Sequence, residues 1–196
     1  MRERSWAWSV LFAAILAGCS NGPVAAQASG APAAAQASGA PVIAACANER
    51  LPADLLDGES AAPSSPLPIV TGAAPHVKLR LAVVADEPTR ELGLMCVLRL
   101  RRNAGMIFVF PRSADWTFWM KDTLAPLDML WLESDGKVTT VAANVPASTL
   151  EASDASVARR SGHGLYVIEL RAGEAALDKL VPGTRIVLPA LRADDR

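Results

Sequence analysis

The sequence predicts a mainly β domain, an antiparallel sandwich or barrel with two short helices, preceded by a disordered tether. Three observations carry this. Between Val77 and Leu188 apolar residues recur at every second position or in short runs, which is how strands read. Turn signals such as Ser134-Asp135-Gly136 and Pro182-Gly183 separate these runs without regular helical crossovers. Upstream of about residue 75 the chain is rich in Ala, Pro, Gly, Ser and Gln, a composition that buries too little surface to offset ordering entropy.

The elements follow in order. Val77, Leu79, Leu81 and Val83 alternate with Lys78, Arg80, Ala82 and Val84, a half-buried strand. Asp86-Glu87-Pro88 is an N-cap with Pro in the first turn. The helix it opens carries Arg90, Leu92 and Leu94 and bends out at or after Gly93. Met106 to Phe110 and Trp116 to Met120 are short apolar strands, the first ended by Pro111. Leu127–Glu133 and Lys137–Val145 flank Ser134-Asp135-Gly136 and pair as a hairpin. Pro146 to Gly164 is long and polar, a loop able to close over a site or simply solvated. A strand from Leu165 to Leu170, a short helix from Gly173 to Leu180 and a last strand from Thr184 to Leu188 complete the domain.

The N-terminus is an address. Arg2 and Arg4 precede an apolar run from Trp6 to Leu16, then Leu16-Ala17-Gly18-Cys19. A positive start, a short apolar core and small residues before a cut site make a secretory signal, too short to remain as a membrane span. The cysteine after Leu-Ala-Gly resembles a bacterial lipobox, which implies acylation of Cys19 as the new N-terminus. Ser20 rather than Asp follows, which favours the outer membrane over the inner. The expected organisation is a signal at 1–18, a tether at 19–75 and a β domain at 76–192. Within the tether, Ala25–Pro32 recurs as Ala34–Pro41, a low-complexity repeat without large apolar side chains. Residues 42–56 differ, with Val42, Ile43, Leu51, Leu55 and Leu56 able to dock on the domain or to remain an unattached patch. With Cys19 lipidated, Cys46 and Cys96 remain, and an oxidising envelope allows them to bridge.

The charge balance narrows the partners. Nineteen basic and 20 acidic residues give a net charge of −1, with no basic run beyond Arg99, Arg101 and Arg102. A general nucleic-acid binder carries a basic stripe, so no nucleic-acid partner is expected. No Gly-rich phosphate loop, metal-type His pair or nucleophile elbow is present, and no cofactor or metal is expected.

Four blocks then appear in order: Gly93-Leu94-Met95; Gly105-Met106-Ile107-Phe108-Val109-Phe110; Phe118-Trp119-Met120-Lys121-Asp122-Thr123 with Pro126-Leu127-Asp128; and Ile168-Glu169-Leu170-Arg171-Ala172-Gly173. Over Val77 to Pro189 the chain resembles domain-of-unknown-function family 192. The resemblance implies a jelly-roll-like β-sandwich with small helical additions. Members often carry secretory or lipoprotein signals, and the family has no established activity. Members often have Arg two residues after the Gly-Leu-Met triplet, where this chain has Val97, with Arg99 nearby.

The candidate functional cluster is Lys121, Asp122, Thr123, Asp128, Glu169 and Trp119. Charged groups between apolar strands must pair or shift their pKa values. Asp122 and Asp128 suit an acid, base or cation ligand and Lys121 an anion anchor; equally, all can serve a structured turn. Glu169 shares a strand face with Val167, so in a core it needs a partner, with Lys121 or Arg80 as candidates. Trp116, Trp119 and Trp131 suit either sugar stacking or the core. The leading expectation is a lipid-anchored envelope protein whose domain binds a small molecule or protein near Trp119–Asp128. The alternatives are a hydrolase using Asp122, Asp128 or Glu169, and a Cu(I)-handling protein drawing on Met95, Met106, Met120 and Met129.

Overall fold

The structure is a computed structural model that describes residues 48–58 and 65–193. The signal, Cys19, the Ala/Pro/Gly/Ser repeats and Cys46 lie outside the described residues. The described part is mainly β, with strands β1 (Ile69–Ala74), β2 (Val77–Val84), β3 (Ala104–Trp119), β4 (Leu127–Leu132), β5 (Val138–Val145) and β6 (Arg159–Arg171). Two short helices accompany them, α1 (Glu87–Leu92) and α2 (Glu174–Leu177).

All six strands join one sheet in the order β1-β2-β3-β6-β4-β5. It is mixed rather than purely antiparallel. β2 and β3 run parallel, because the connection between them passes through α1 and a loop to Asn103 instead of a tight turn. The segment after α2 then meets both edges of the sheet. Ala73 and Val187 exchange backbone hydrogen bonds at 2.9 and 2.7 Å, while Ile186 donates to Gly136 and Val138 donates to Thr184. This segment, expected as a full strand, makes only isolated bridges, yet it joins the β1 and β5 edges. Apolar side chains pack on both faces of the sheet. Leu79, Leu81, Ile107, Leu130, Ile168 and Ile186 form one cluster; Val84, Met106, Phe108, Met129, Trp131 and Val167 belong to the other.

Several elements depart from expectation for local reasons. β1 lies inside the stretch read as tether, since Ile69-Val70 is followed by Thr-Gly-Ala-Ala without alternation. The two strands expected at 106–110 and 116–120 are one strand, β3, whose register against β6 shifts between Val109 and Ala114, the stretch that holds Pro111; Pro has no N–H to give a ladder. β6 begins at Arg159, so the end of the expected loop is strand. Trp131 packs against Gly162 there, where a Cβ would sit 2.5 Å from its ring. Of the expected docking segment 42–56, the described residues 48–56 are attached to the domain. Leu51 and Leu55 are fully buried, Arg101 donates to the Leu55 carbonyl at 2.9 Å, and Asp54 pairs with Arg80.

Candidate functional site

The site grows from α1. The Asp86 carboxylate accepts from the Thr89 N–H at 2.9 Å and caps the helix, with Pro in its first turn. Helix geometry turns Arg90 toward β3, where its guanidinium donates to the Val109 carbonyl at 3.0 Å and to the Ala85 carbonyl. It also holds Glu87 at 3.1 Å. Gly93 ends the helix at φ 47°, a left-handed conformation that suits Gly, and the chain then passes Leu94 and Met95 along the sheet.

Between this corner and the sheet lies a small cavity of about 40 Å³, room for a few waters. Arg90, Gly93, Met95, Phe118, Thr123 and Glu169 are among its walls. Glu169 projects from β6 on the Val167 face, with Met106 and Met129 as its direct neighbours on the adjoining strands. It is 5 % exposed, and burial alone pushes its carboxyl up to about 8. Neither expected partner reaches it: Arg80 pairs with Asp54, and Lys121 pairs with Asp154 at 2.8 Å. No described residue forms a hydrogen bond or ion pair with it. A neutral carboxylic acid therefore borders this cavity at neutral pH, able to donate one hydrogen bond and accept another.

The cavity adjoins a larger one of about 250 Å³. Arg90, Glu91, Phe108, Phe118 and Trp119 border both, so the two form one groove. Its wall is aromatic. Phe110 and Trp116, on either side of the irregular stretch in β3, stack with ring centroids 3.9 Å apart. Phe118 meets Phe108 edge-on at 4.7 Å. Three guanidiniums lie over rings: Arg90 over Phe110 at 5.4 Å, Arg112 over Trp116 at 6.0 Å and Arg159 over Trp119 at 5.4 Å.

The other candidates have separate places. Trp119, Lys121 and Thr123 border the small cavity. The hydrogen bond to Asp154 holds the Lys121 ammonium above its usual value. Thr123 is buried and donates to the Lys121 carbonyl at 3.0 Å. Asp122 takes a left-handed turn at φ 48°, and its carbonyl accepts from Cys96 N–H at 2.8 Å. Asp128 is not with Glu169. It lies among Leu130 and Leu132 on the opposite sheet face, fully buried. Its two oxygens accept the backbone N–H groups of Asn144 at 2.7 Å and Ala175 at 2.8 Å. Those bonds tie β5 and the start of α2 to β4. An acid pair of Asp128 with Glu169 is thus excluded by strand alternation. Trp131 is core, its indole donating to the Trp116 carbonyl at 3.0 Å. Met106, Met120 and Met129 are fully buried core, while His163 is exposed beside Asp115 at 2.7 Å, so these thioethers do not gather around it. Cys96 is disulfide-bonded; the chain's other cysteines lie outside the described residues. A third cavity of about 350 Å³ runs past Leu98, Arg99, Ala125 and Arg171, with Arg171 held by Glu174 at 3.2 Å.

Sequence reading missed Arg90, Phe108 and Phe110 as site residues. All three look like ordinary helix or strand positions. The signal lay in Asp86-Glu87-Pro88, which places the α1 side chains over β3.

Comparison with known proteins agrees with this architecture. A crystal structure of a Sinorhizobium meliloti 1021 protein, provisionally described as a transcription regulator, shares 31 % identity over 61 % of this chain and 92 % of that one, at a TM-score of 0.52. A protein of unknown function from Novosphingobium aromaticivorans DSM 12444 shares 28 % identity over 70 % of this chain and 97 % of that one, also at 0.52. No curated protein matches the chain significantly. The family model DUF192, described as Uncharacterized ACR, matches residues 69–188, more than half of the sequence, and the chain belongs to that family.

Proposed function

We propose that the chain is a lipid-anchored protein of the bacterial cell envelope, held at Cys19 in the outer membrane and facing the periplasm, whose β domain binds a ligand in the groove beside α1. The observation that carries the binding role is Glu169, a buried acid without a partner that borders a cavity joined to an aromatic groove. Desolvating such a group costs stability and returns none. Perturbed acids in clefts concentrate at functional sites. Support for the anchor is the sequence Leu16-Ala17-Gly18-Cys19 after a short apolar run.

Two experiments test the two halves. Metabolic labelling with an alkyne fatty acid tags the wild-type chain and fails with Cys19→Ala; equal labelling of both removes the anchor. Binding to the groove raises the thermal midpoint with ligand excess. That rise is weaker in Trp119→Ala and unchanged in Leu98→Ala, whose cavity lies elsewhere; equal loss in both variants removes the groove.

A second reading has one observation in its favour. Glu169 is protonated near neutrality and so matches a general acid. The hydrolytic reading then rests on Glu169, since Asp128 faces away and Asp122 is not among the residues lining either cavity. Turnover lost in Glu169→Gln with binding retained would select it. The regulatory role described for the Sinorhizobium protein finds no support in this chain's charge of −1.

A further inference from the structure

The groove's lining also has a sign. Phe110 and Trp116 cover one another on one side, and Arg90 and Arg112 lie over them. Arg159 lies over Trp119. Arg90 and Lys121 border the inner cavity. The carboxylates at the groove are Glu87, held by Arg90, Glu91 on α1 and Glu169 itself. A cationic ligand meets the Arg90 guanidinium, fixed by Glu87 and two backbone carbonyls. An anion meets the side chains of Arg90 and Lys121 and the Glu169 carboxyl, all lining the inner cavity.

We infer that the groove takes a small organic anion with an apolar body, a carboxylate whose oxygen accepts a hydrogen bond from the Glu169 carboxyl while its body lies against Phe118, Phe108 and Trp119. The inner cavity, about 40 Å³, admits a carboxylate head and little more, so the body stays in the outer groove. This inference rests on the binding role proposed above and names its ligand class.

Three probes with one apolar body separate the possibilities: phenylacetate, 2-phenylethanol and 2-phenylethylammonium. Binding to the full chain is read by tryptophan fluorescence and by the shifts of indole N–H resonances. Phenylacetate is expected to bind roughly tenfold tighter than the alcohol, with the ammonium weakest. Its affinity falls as pH rises through about 8, where Glu169 ionises and repels it. Glu169→Gln keeps a donor, so it retains phenylacetate binding and loses that pH dependence; Glu169→Leu weakens it roughly tenfold. Tighter binding of the ammonium or the alcohol overturns the anion assignment and leaves the binding role standing. Equal binding of phenylacetate by wild type and Glu169→Leu, both folded by circular dichroism, also overturns it. Failure of all three probes to bind removes the ligand class and the groove together.

Discussion

At the scale of single residues, two buried carboxylates on β4 and β6 have opposite fates. Asp128 spends both oxygens on backbone N–H groups, so it is scaffolding. Asp128→Ala leaves those donors without acceptors and is expected to cost about 2–4 kcal/mol in urea unfolding. Glu169 has no such bonds. Its carboxyl rises from 4.5 to about 8 on folding, so the folded state holds its proton over a range where the unfolded chain releases it. Stability is therefore fullest below pH 4.5 and declines as pH rises to about 8, by on the order of 4 kcal/mol. Unfolding midpoints at pH 5 and pH 8 should differ in wild type by more than in Glu169→Gln; equal differences would mean that Glu169 is paired in solution. Lys121→Ala barely moves the midpoint, because its partnership with Asp154 is exposed. The sequence singled out Glu169 and Asp128 as acids among apolar strand residues, and both are buried. Which of them was satisfied was not legible, because that depends on backbone groups of Asn144 and Ala175, distant in the chain.

At the scale of elements, alternation and turn chemistry made β2, β4, β5 and α1 readable. β1 escaped because four of its six residues are Thr, Gly or Ala, small side chains that carry no periodic signal. The length of β3 escaped because Pro111 reads as a stop, whereas here it sits in the stretch where the register against β6 slips. That slip positions Phe110 and Trp116 to stack, so the feature that hid the strand also builds the groove. The β3–β6 pairing leaves no room at Gly105, where a Cβ would stand 2.1 Å from the Glu169 carbonyl oxygen. Gly105→Ala is expected to abolish the native near-ultraviolet dichroism or drive the chain into aggregates. A natively folded Gly105→Ala protein would contradict this register.

At the scale of the molecule, the sheet depends on segments distant from its centre. Residues 48–58 cover one face through Leu51 and Leu55, and Leu55→Ala is expected to cost about 2–5 kcal/mol of unfolding free energy. Residues 184–187 join the two edges of the sheet. A chain ending at Pro182 leaves β1 and β5 as open edges and should lose cooperative unfolding. None of this closure was legible locally, since the bridges at Ala73 and Lys137 connect positions far apart in sequence. The same architecture leaves a buried acid unpaired beside an aromatic groove, and the claim that it is kept for a ligand has a direct test. Glu169→Met places an apolar side chain between Met106 and Met129. If Glu169 serves binding, the thermal midpoint at pH 8 rises by several degrees while phenylacetate binding weakens roughly tenfold. A midpoint lowered by many degrees would make Glu169 part of the scaffold and contradict the account.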